Sequence, residues 1–505
     1  MAEPYDVIII GGGSAGCVAA SRLSEDPGRS VLLLDRAPDP QPLPDLIAES
    51  AKVGRLLLES PYIEMFPSDR SIDGSVYYSL AGRVLGGGSS VNMMTVIRAI
   101  PADFEAWVAA GNPEWAWDKV LPVFKRIEAD QDYPDHPFHG SDGPLYTKRR
   151  VASFDQITSP LERAQIDGAV DLGLPLIQDQ NLPNPWGISI TAYNVKDGMR
   201  QSSVVAFLSD ARSRPNLTII DEALVHSLDI EGNRVTAVRY ERNGQVQTVS
   251  GGEVVLSAGA YHSPQILMLS GIGASAELER LGVPVVHALN GIGENHQDHA
   301  VVFLQFEGAK EHIEDWITPS TMMNLKSDPS LEYSDFQAII RQPAEMEGLG
   351  QMNTISVHLI EQRSRGRIYL KNTDPAELPG IDPRMMEDPA DIEATVTVLR
   401  FIEALAKTKA MSEFYGPLFL PGPDEDWAEF ARKTYDSFHH GVGTCKMGPA
   451  SDDSAVVDER LRVHGMSNLR VADASIMPVI PHAHTNNTSL MIGQRLAEFM
   501  KEDGC

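Results

Sequence analysis

The sequence predicts a mixed α/β chain, α+β overall: a Rossmann-like lobe beside a second lobe built on an antiparallel sheet. Three observations carry this. The first forty residues read strand, glycine-rich turn, helix, strand. The 505 residues exceed what one hydrophobic core usually holds, roughly 250–300 residues. The span 303–360 contains alternating runs such as Ser334-Asp335-Phe336-Gln337-Ala338-Ile339, the period of half-buried strands.

The opening unit comes first. An apolar, β-branched run from Tyr5 to Ile10 leads into Gly11-Gly12-Gly13-Ser14-Ala15-Gly16, which holds the spacing G-x-G-x-x-G. A helix over 17–23 and a buried strand from Val31 to Leu34 follow, and Asp35 closes the strand. The glycines divide the work. Gly11 makes the tight turn, Gly13 lets the backbone approach a pyrophosphate, and Gly16 lets helix and strand pack closely. The helix N-terminus offers free N–H groups to phosphate. Asp35 can accept from a ribose diol, and its charge would repel the 2′-phosphate of NADP despite the neighbouring Arg36. The unit therefore binds a dinucleotide.

The next elements are a second glycine-rich segment and a second strand-turn-helix. Gly86-Gly87-Gly88-Ser89-Ser90 suits neither strand nor helix and is expected to be a loop against a flat or anionic ligand. Glu253 to Ala260 reads as a strand entering a turn. Ser263-Pro264 then supplies an N-cap and a proline at the first helical position. Further on, Ile392, Val396, Leu399, Ile402 and Ala406 predict a helix over 391–407.

Together these segments resemble the glucose–methanol–choline (GMC) family of flavin oxidoreductases over nearly the whole chain. The family's signatures stand here as Gly82-Arg83-Val84-Leu85-Gly86-Gly87-Gly88-Ser89-Ser90 and Gly259-Ala260-Tyr261-His262-Ser263-Pro264. Further matches are Asn295-His296-Gln297-Asp298-His299, His440-Gly441-Val442-Gly443-Thr444 and Val471-Ala472-Asp473-Ala474-Ser475. The glycine-serine loop looks closest to bacterial hydroxymethylfurfural and aryl-alcohol oxidases and to choline dehydrogenase-like members. The resemblance implies FAD. By position it places Ser14, Ala15, Asp35 and Arg36 around the ADP moiety, and Leu85, Ser89, Asn92, Met93, Met94 and Thr95 along the pyrophosphate and flavin. It places Val225 at the adenine, and Ala474 and Thr485 at the ribityl chain and pyrimidine edge; His439 and Asp473 complete the set. Two departures matter. Many members have Glu where Asp35 stands. Val91 stands where one member carries a histidine joined to the flavin, so non-covalent FAD is expected.

The same resemblance singles out two of the 14 histidines, His440 and His484, as the pair flanking the flavin N5. A neutral imidazole suits removal of a hydroxyl proton near neutral pH, and a second donor can hold the developing alkoxide. His440 is expected to be the base and His484 its partner, with His482 and Asn486 as alternatives in register. His296 and His299 form H-x-x-H without a third ligand, so no metal is expected there, and Asp298-His299 is expected to be structural. His136, His139 and His312 fall in polar stretches and are expected to be solvated.

The expected boundaries are 1–300 for the region holding the FAD-binding core, 301–435 mainly for the substrate lobe (with some of 150–200), and 436–505 for the return carrying both histidines. The implied reaction is oxidation of a primary alcohol, aryl or small and polar, with O2 or a quinone- or dye-type compound as electron acceptor. A hydroxynitrile lyase of the same fold and an electron carrier remain alternatives. A net charge of −28 disfavours nucleic acid and anionic membrane, and no run approaches the ~18 apolar residues of a membrane span. Three scattered cysteines and no signal-like start predict a cytoplasmic protein.

Overall fold

Strands buried on both faces read as continuous apolar runs, and two such runs build the centre of the first lobe. They are β1 (Tyr5–Ile10) and β2 (Val31–Leu34), joined through α1 (Ser14–Leu23) in a computed structural model that describes residues 4–68, 76–312, 314, 316 and 318–505. β3 (Leu217–Ile220), β4 (Gly251–Leu256) and β5 (Leu469–Val471) complete a parallel five-stranded sheet in the order β3-β2-β1-β4-β5. Two more helices belong to this lobe, α2 (Gly259–Leu269) and α3 (Thr485–Glu502). Backbones approach closely here. A Cβ on Gly16 would lie 1.9 Å from the Gly11 carbonyl oxygen, and one on Gly493 would lie 2.3 Å from that of Ala15, so α1 and α3 meet almost backbone to backbone.

Two sequence expectations need correction. Ser263-Pro264 does not begin a helix, because α2 starts at Gly259 and carries Pro264 inside it. An interior proline leaves the carbonyl four residues earlier without its N–H. That carbonyl belongs to Ala260, and the Thr444 hydroxyl donates to it at 2.6 Å. Ser263 has another use: its hydroxyl donates to Asp473 at 2.6 Å. The glycine-serine loop is also not wholly irregular, since Gly88–Val91 forms one helical turn.

The second sheet is antiparallel except at one edge. Its strands run in the order Tyr415–Leu420, Ala300–Gly308, Gly350–Leu359, Phe336–Ile340, Thr321–Leu325, Gly187–Ile190 and Leu176–Ile177, the last two being parallel. Helices Pro160–Asp171 and Pro389–Ala406 close one face, the latter capped by the Asp388 side chain. Alternation sorts the side chains: Val302, Leu304 and Phe306 join the core under these helices. Val301 and Phe303 take the opposite face and line a cavity. Among the described residues no helix is long and apolar enough to cross a membrane.

Candidate active site

The cavity, about 550 Å³, runs from the carboxyl ends of β1, β2 and β4 to the open face of the antiparallel sheet. Open α/β sheets bind ligands at these strand ends. Gly11, Gly13, Ser14, Ala15, Asp35 and Arg36 line one end. Gly13 precedes α1 with no side-chain cap, so the first N–H groups of the helix lack a capping acceptor. A Cβ on Gly13 would meet only the Ser257 carbonyl oxygen at 3.8 Å, and Gly88 and Gly259 face open space. The Asp35 carboxylate accepts from the Gly12 N–H at 2.6 Å and the Ala37 N–H at 2.7 Å, one on each oxygen, which leaves a lone pair on each for a diol. Burial raises the Asp35 pKa, against these two N–H groups. Arg36 is ion-paired with Glu64, so its charge is already matched. Bare helix N-terminus, open glycines and buried acceptor together fit a dinucleotide.

The middle of the cavity is lined by Val91, Asn92, Met93 and Thr95, with Val225, Asp473, Ala474 and Thr485 around them. Four expected cofactor residues stand behind the wall instead. The Leu85 side chain abuts Gly12, and Gly16 packs on Gly11. The Ser89 hydroxyl donates to the Gly86 carbonyl, and Met94 is buried with φ 61°. They shape the surface without lining it.

His440 and His484 come together at the far end, with ring centroids 5.0 Å apart and Phe438 beside both. His439 takes the left-handed region at φ 63°, a cost a non-glycine residue bears only under constraint. Its Nδ1 accepts from the Leu80 N–H at 3.1 Å, and it also lines the cavity. The His440 N–H donates to Asp298 at 2.8 Å, and His440 Nδ1 lies 2.9 Å from His299 Nδ1. Asp298-His299, expected to be structural, braces His440. Burial, then the neighbouring imidazoles, pushes the His440 pKa well below the usual 6.5. Burial, then Arg341, takes His484 to about 3. Burial, then His484, takes His299 to about 3.

The alternatives to His484 point elsewhere. His482 is bonded to Asp103 and Glu361, which overcome burial and lift it to about 10. Asn486 reaches the cavity but accepts from the Ser14 hydroxyl at 2.7 Å.

His139 is not solvated; it is buried. Its Nδ1 lies 3.2 Å from Glu128 and 3.0 Å from Asp130, and its Nε2 lies 2.8 Å from Asp179. Glu128, Asp130 and His139 are close enough to share a cation. However, Arg98 and Arg149 already pair with these carboxylates, so the group is a neutralised ion network. Sequence reasoning also missed Arg341, Ser356 and His358. They share the open face of the antiparallel sheet with Phe303, and alternation was their only signal.

The comparisons agree with this geometry. Residues 5–301 and 362–493 match two family models, N- and C-terminal, both described as GMC oxidoreductase. The chain is 32% identical to an alcohol dehydrogenase (acceptor) from Pseudomonas putida, covering 98% of this chain and 95% of that protein. It is 32% identical to the mitochondrial choline dehydrogenase of Homo sapiens, covering 99% and 90%. The solved structure of pyridoxine 4-oxidase from Mesorbium loti matches with a TM-score of 0.91 at 30% identity, covering 99% of each chain. The chain belongs to the GMC oxidoreductase family and is an FAD-dependent oxidoreductase.

Proposed function

We propose that this chain oxidises a primary alcohol, aryl or small and polar, to the aldehyde, with His440 as general base and His484 as hydrogen-bond partner of the substrate oxygen. FAD, held by the residues around Gly13, Asp35, Asn92 and Ala474, would supply the hydride acceptor for this oxidation. The supporting observation is a pair of contacts from which the tautomers follow. His299 Nε2 lies 3.1 Å from the Pro481 carbonyl, which only accepts, so this nitrogen carries the proton. A neutral His299 then has a bare Nδ1, and His440 Nδ1 must donate to it. That leaves His440 Nε2 as a lone pair for the hydroxyl proton. His484, held neutral, keeps one N–H for the developing alkoxide.

The names of the relatives, alcohol dehydrogenase and pyridoxine 4-oxidase, support oxidation over lyase chemistry. They leave both O2 and a quinone- or dye-type acceptor open. Gly11, Gly13, Ser14, Ala15, Asp35, Asn92, Met93, Thr95, Val225, Asp473, Ala474 and Thr485 form the proposed cofactor cradle. Val91, lining the cavity without a nucleophile, supports non-covalent FAD. Acid precipitation should accordingly leave the yellow colour in the supernatant.

The test is anaerobic mixing with a panel of benzylic and small aliphatic alcohols. Bleaching of the flavin with aldehyde formation is expected, and readmitted air distinguishes oxidase from dehydrogenase. The reading fails if dithionite bleaches the flavin and no alcohol does, or if a cyanohydrin is cleaved without bleaching.

A further inference from the structure

Among the described residues Arg341 has no ion-pair partner, in a chain rich in acids. The chain carries 70 Asp and Glu against 42 Lys and Arg. Arg36, Arg98 and Arg149 are each paired with carboxylates, but Arg341 is not. It follows the strand Phe336–Ile340, whose Phe336, Ala338 and Ile340 point into the helix-covered core. Arg341 lines the cavity, on the side that also holds Val301, Phe303, His440 and His484. Its Nε donates to the Ser356 hydroxyl at 2.9 Å. Ser356 sits opposite Phe303 in the sheet, and His358 Nε2 lies 3.0 Å from the same hydroxyl. Among the described residues, Arg341 Nη1 and Nη2 make no hydrogen bond or ion pair. Asp436 lines the same cavity but lies three strand spacings away, roughly 14 Å of backbone. Its carboxylate accepts from the Ser437 N–H.

A guanidinium fixed through Nε and open at both Nη atoms matches a planar oxyanion in a two-point fork. Arg341 is partly buried, and a cation drawn out of water without a partner is costly, so a ligand that supplies one gains from the pairing. Burial lowers the Arg341 pKa only to about 10, so the group stays charged at neutral pH.

We infer that the substrate carries a carboxylate held by Arg341, so that the alcohol presented to His440 and His484 belongs to a hydroxy acid, such as a hydroxymethyl aromatic carboxylate. This rests on the proposed alcohol oxidation. Ser356 is then a positioning residue that aims the fork, and Phe303 supplies an apolar wall for the body of the molecule.

The test uses the FAD-loaded enzyme and two probes of one shape, sodium benzoate and benzamide, titrated by flavin absorbance and by calorimetry. Benzoate should bind at least about tenfold more tightly. Arg341→Gln should erase the difference, and Arg341→Lys, charged but without the fork, should keep a smaller one. In turnover, 4-(hydroxymethyl)benzoate should exceed its amide in kcat/KM by about tenfold or more, mainly through KM. Equal binding of the two probes by the native enzyme overturns the inference. So does an Arg341→Gln enzyme that weakens both probes alike. If no alcohol bleaches the flavin but benzoate keeps its Arg341-dependent advantage, the alcohol reading fails and the anion site stands. If both alcohols bleach it equally and benzoate has no advantage, the anion site fails and the alcohol reading stands.

Discussion

Two buried histidine clusters in this molecule have opposite electrostatics. His139 lies among Glu128, Asp130 and Asp179, and these carboxylates outweigh burial and raise it to about 10. His440 lies among His299, His484 and His358, and nothing offsets its burial, so its pKa falls well below 6.5. The same side chain is held as a cation in one place and neutral in the other. Burial alone does not set the role of a histidine; the charge of what is buried with it does.

The largest expected effect tests the charged cluster. His139→Ala strips a cation from three buried carboxylates and should destabilise the protein by about 3–5 kcal/mol, the usual cost of breaking a buried pair. The thermal midpoint of the FAD-loaded enzyme should fall by several degrees while flavin reduction by alcohol is unchanged; an unmoved midpoint breaks the comparison. The pH dependence follows from the sign of the shift. His139 is raised in the folded state, so its contribution is complete below pH ~6.5 and fades as pH rises toward 10. Asp179 is held at about 2, by His139 and Arg149 against burial. Its contribution is complete above pH ~3.9 and is lost as pH falls through 2.

Next is His440→Ala. Flavin content should be retained while the rate of anaerobic reduction falls roughly a hundredfold or more, about 2.7 kcal/mol of barrier. Near-native reduction would remove the base assignment. His299→Phe should cost less, about tenfold, because it frees His440 to adopt the wrong tautomer without removing it. His299→Asn, whose carbonyl can still accept, should recover part of that loss; equal rates for the two variants would refute the tautomer chain. The smallest effect is on pH. A base already neutral should lose less than about twofold in reduction rate between pH 8 and 6.5. A steep decline over that range would place the His440 pKa at or above that of a free imidazole.

Local signals were legible in the sequence and distant ones were not. The glycine motif, its flanking strands and Asp35 lie within forty residues, and every expected part stands in place. The start of α2 was misread because Ser-Pro normally opens a helix, while the group that makes an interior Pro264 tolerable, Thr444, is 184 residues from Ala260. His139 looked solvated beside Pro137 and Gly140, but its partner Asp179 lies 40 residues on. Leu85 and Ser89 fall inside a family signature, and a motif does not say which of its side chains face the ligand and which brace the wall. Arg341 belongs to no motif at all; only the pairing of its strand with Gly350–Leu359 brings it to Ser356.

The parallel sheet also constrains how the chain is made. β4 ends at Leu256, but the strand that pairs with its open edge starts at Leu469, more than 200 residues later. At ~5–20 residues per second a ribosome needs roughly ten to forty seconds to supply it. During that interval β4 exposes an unpaired edge, and α1 lacks the helix that packs at Gly493. The first lobe therefore closes only when the last part of the chain, which holds Leu469–Val471 and Gly493, has been made.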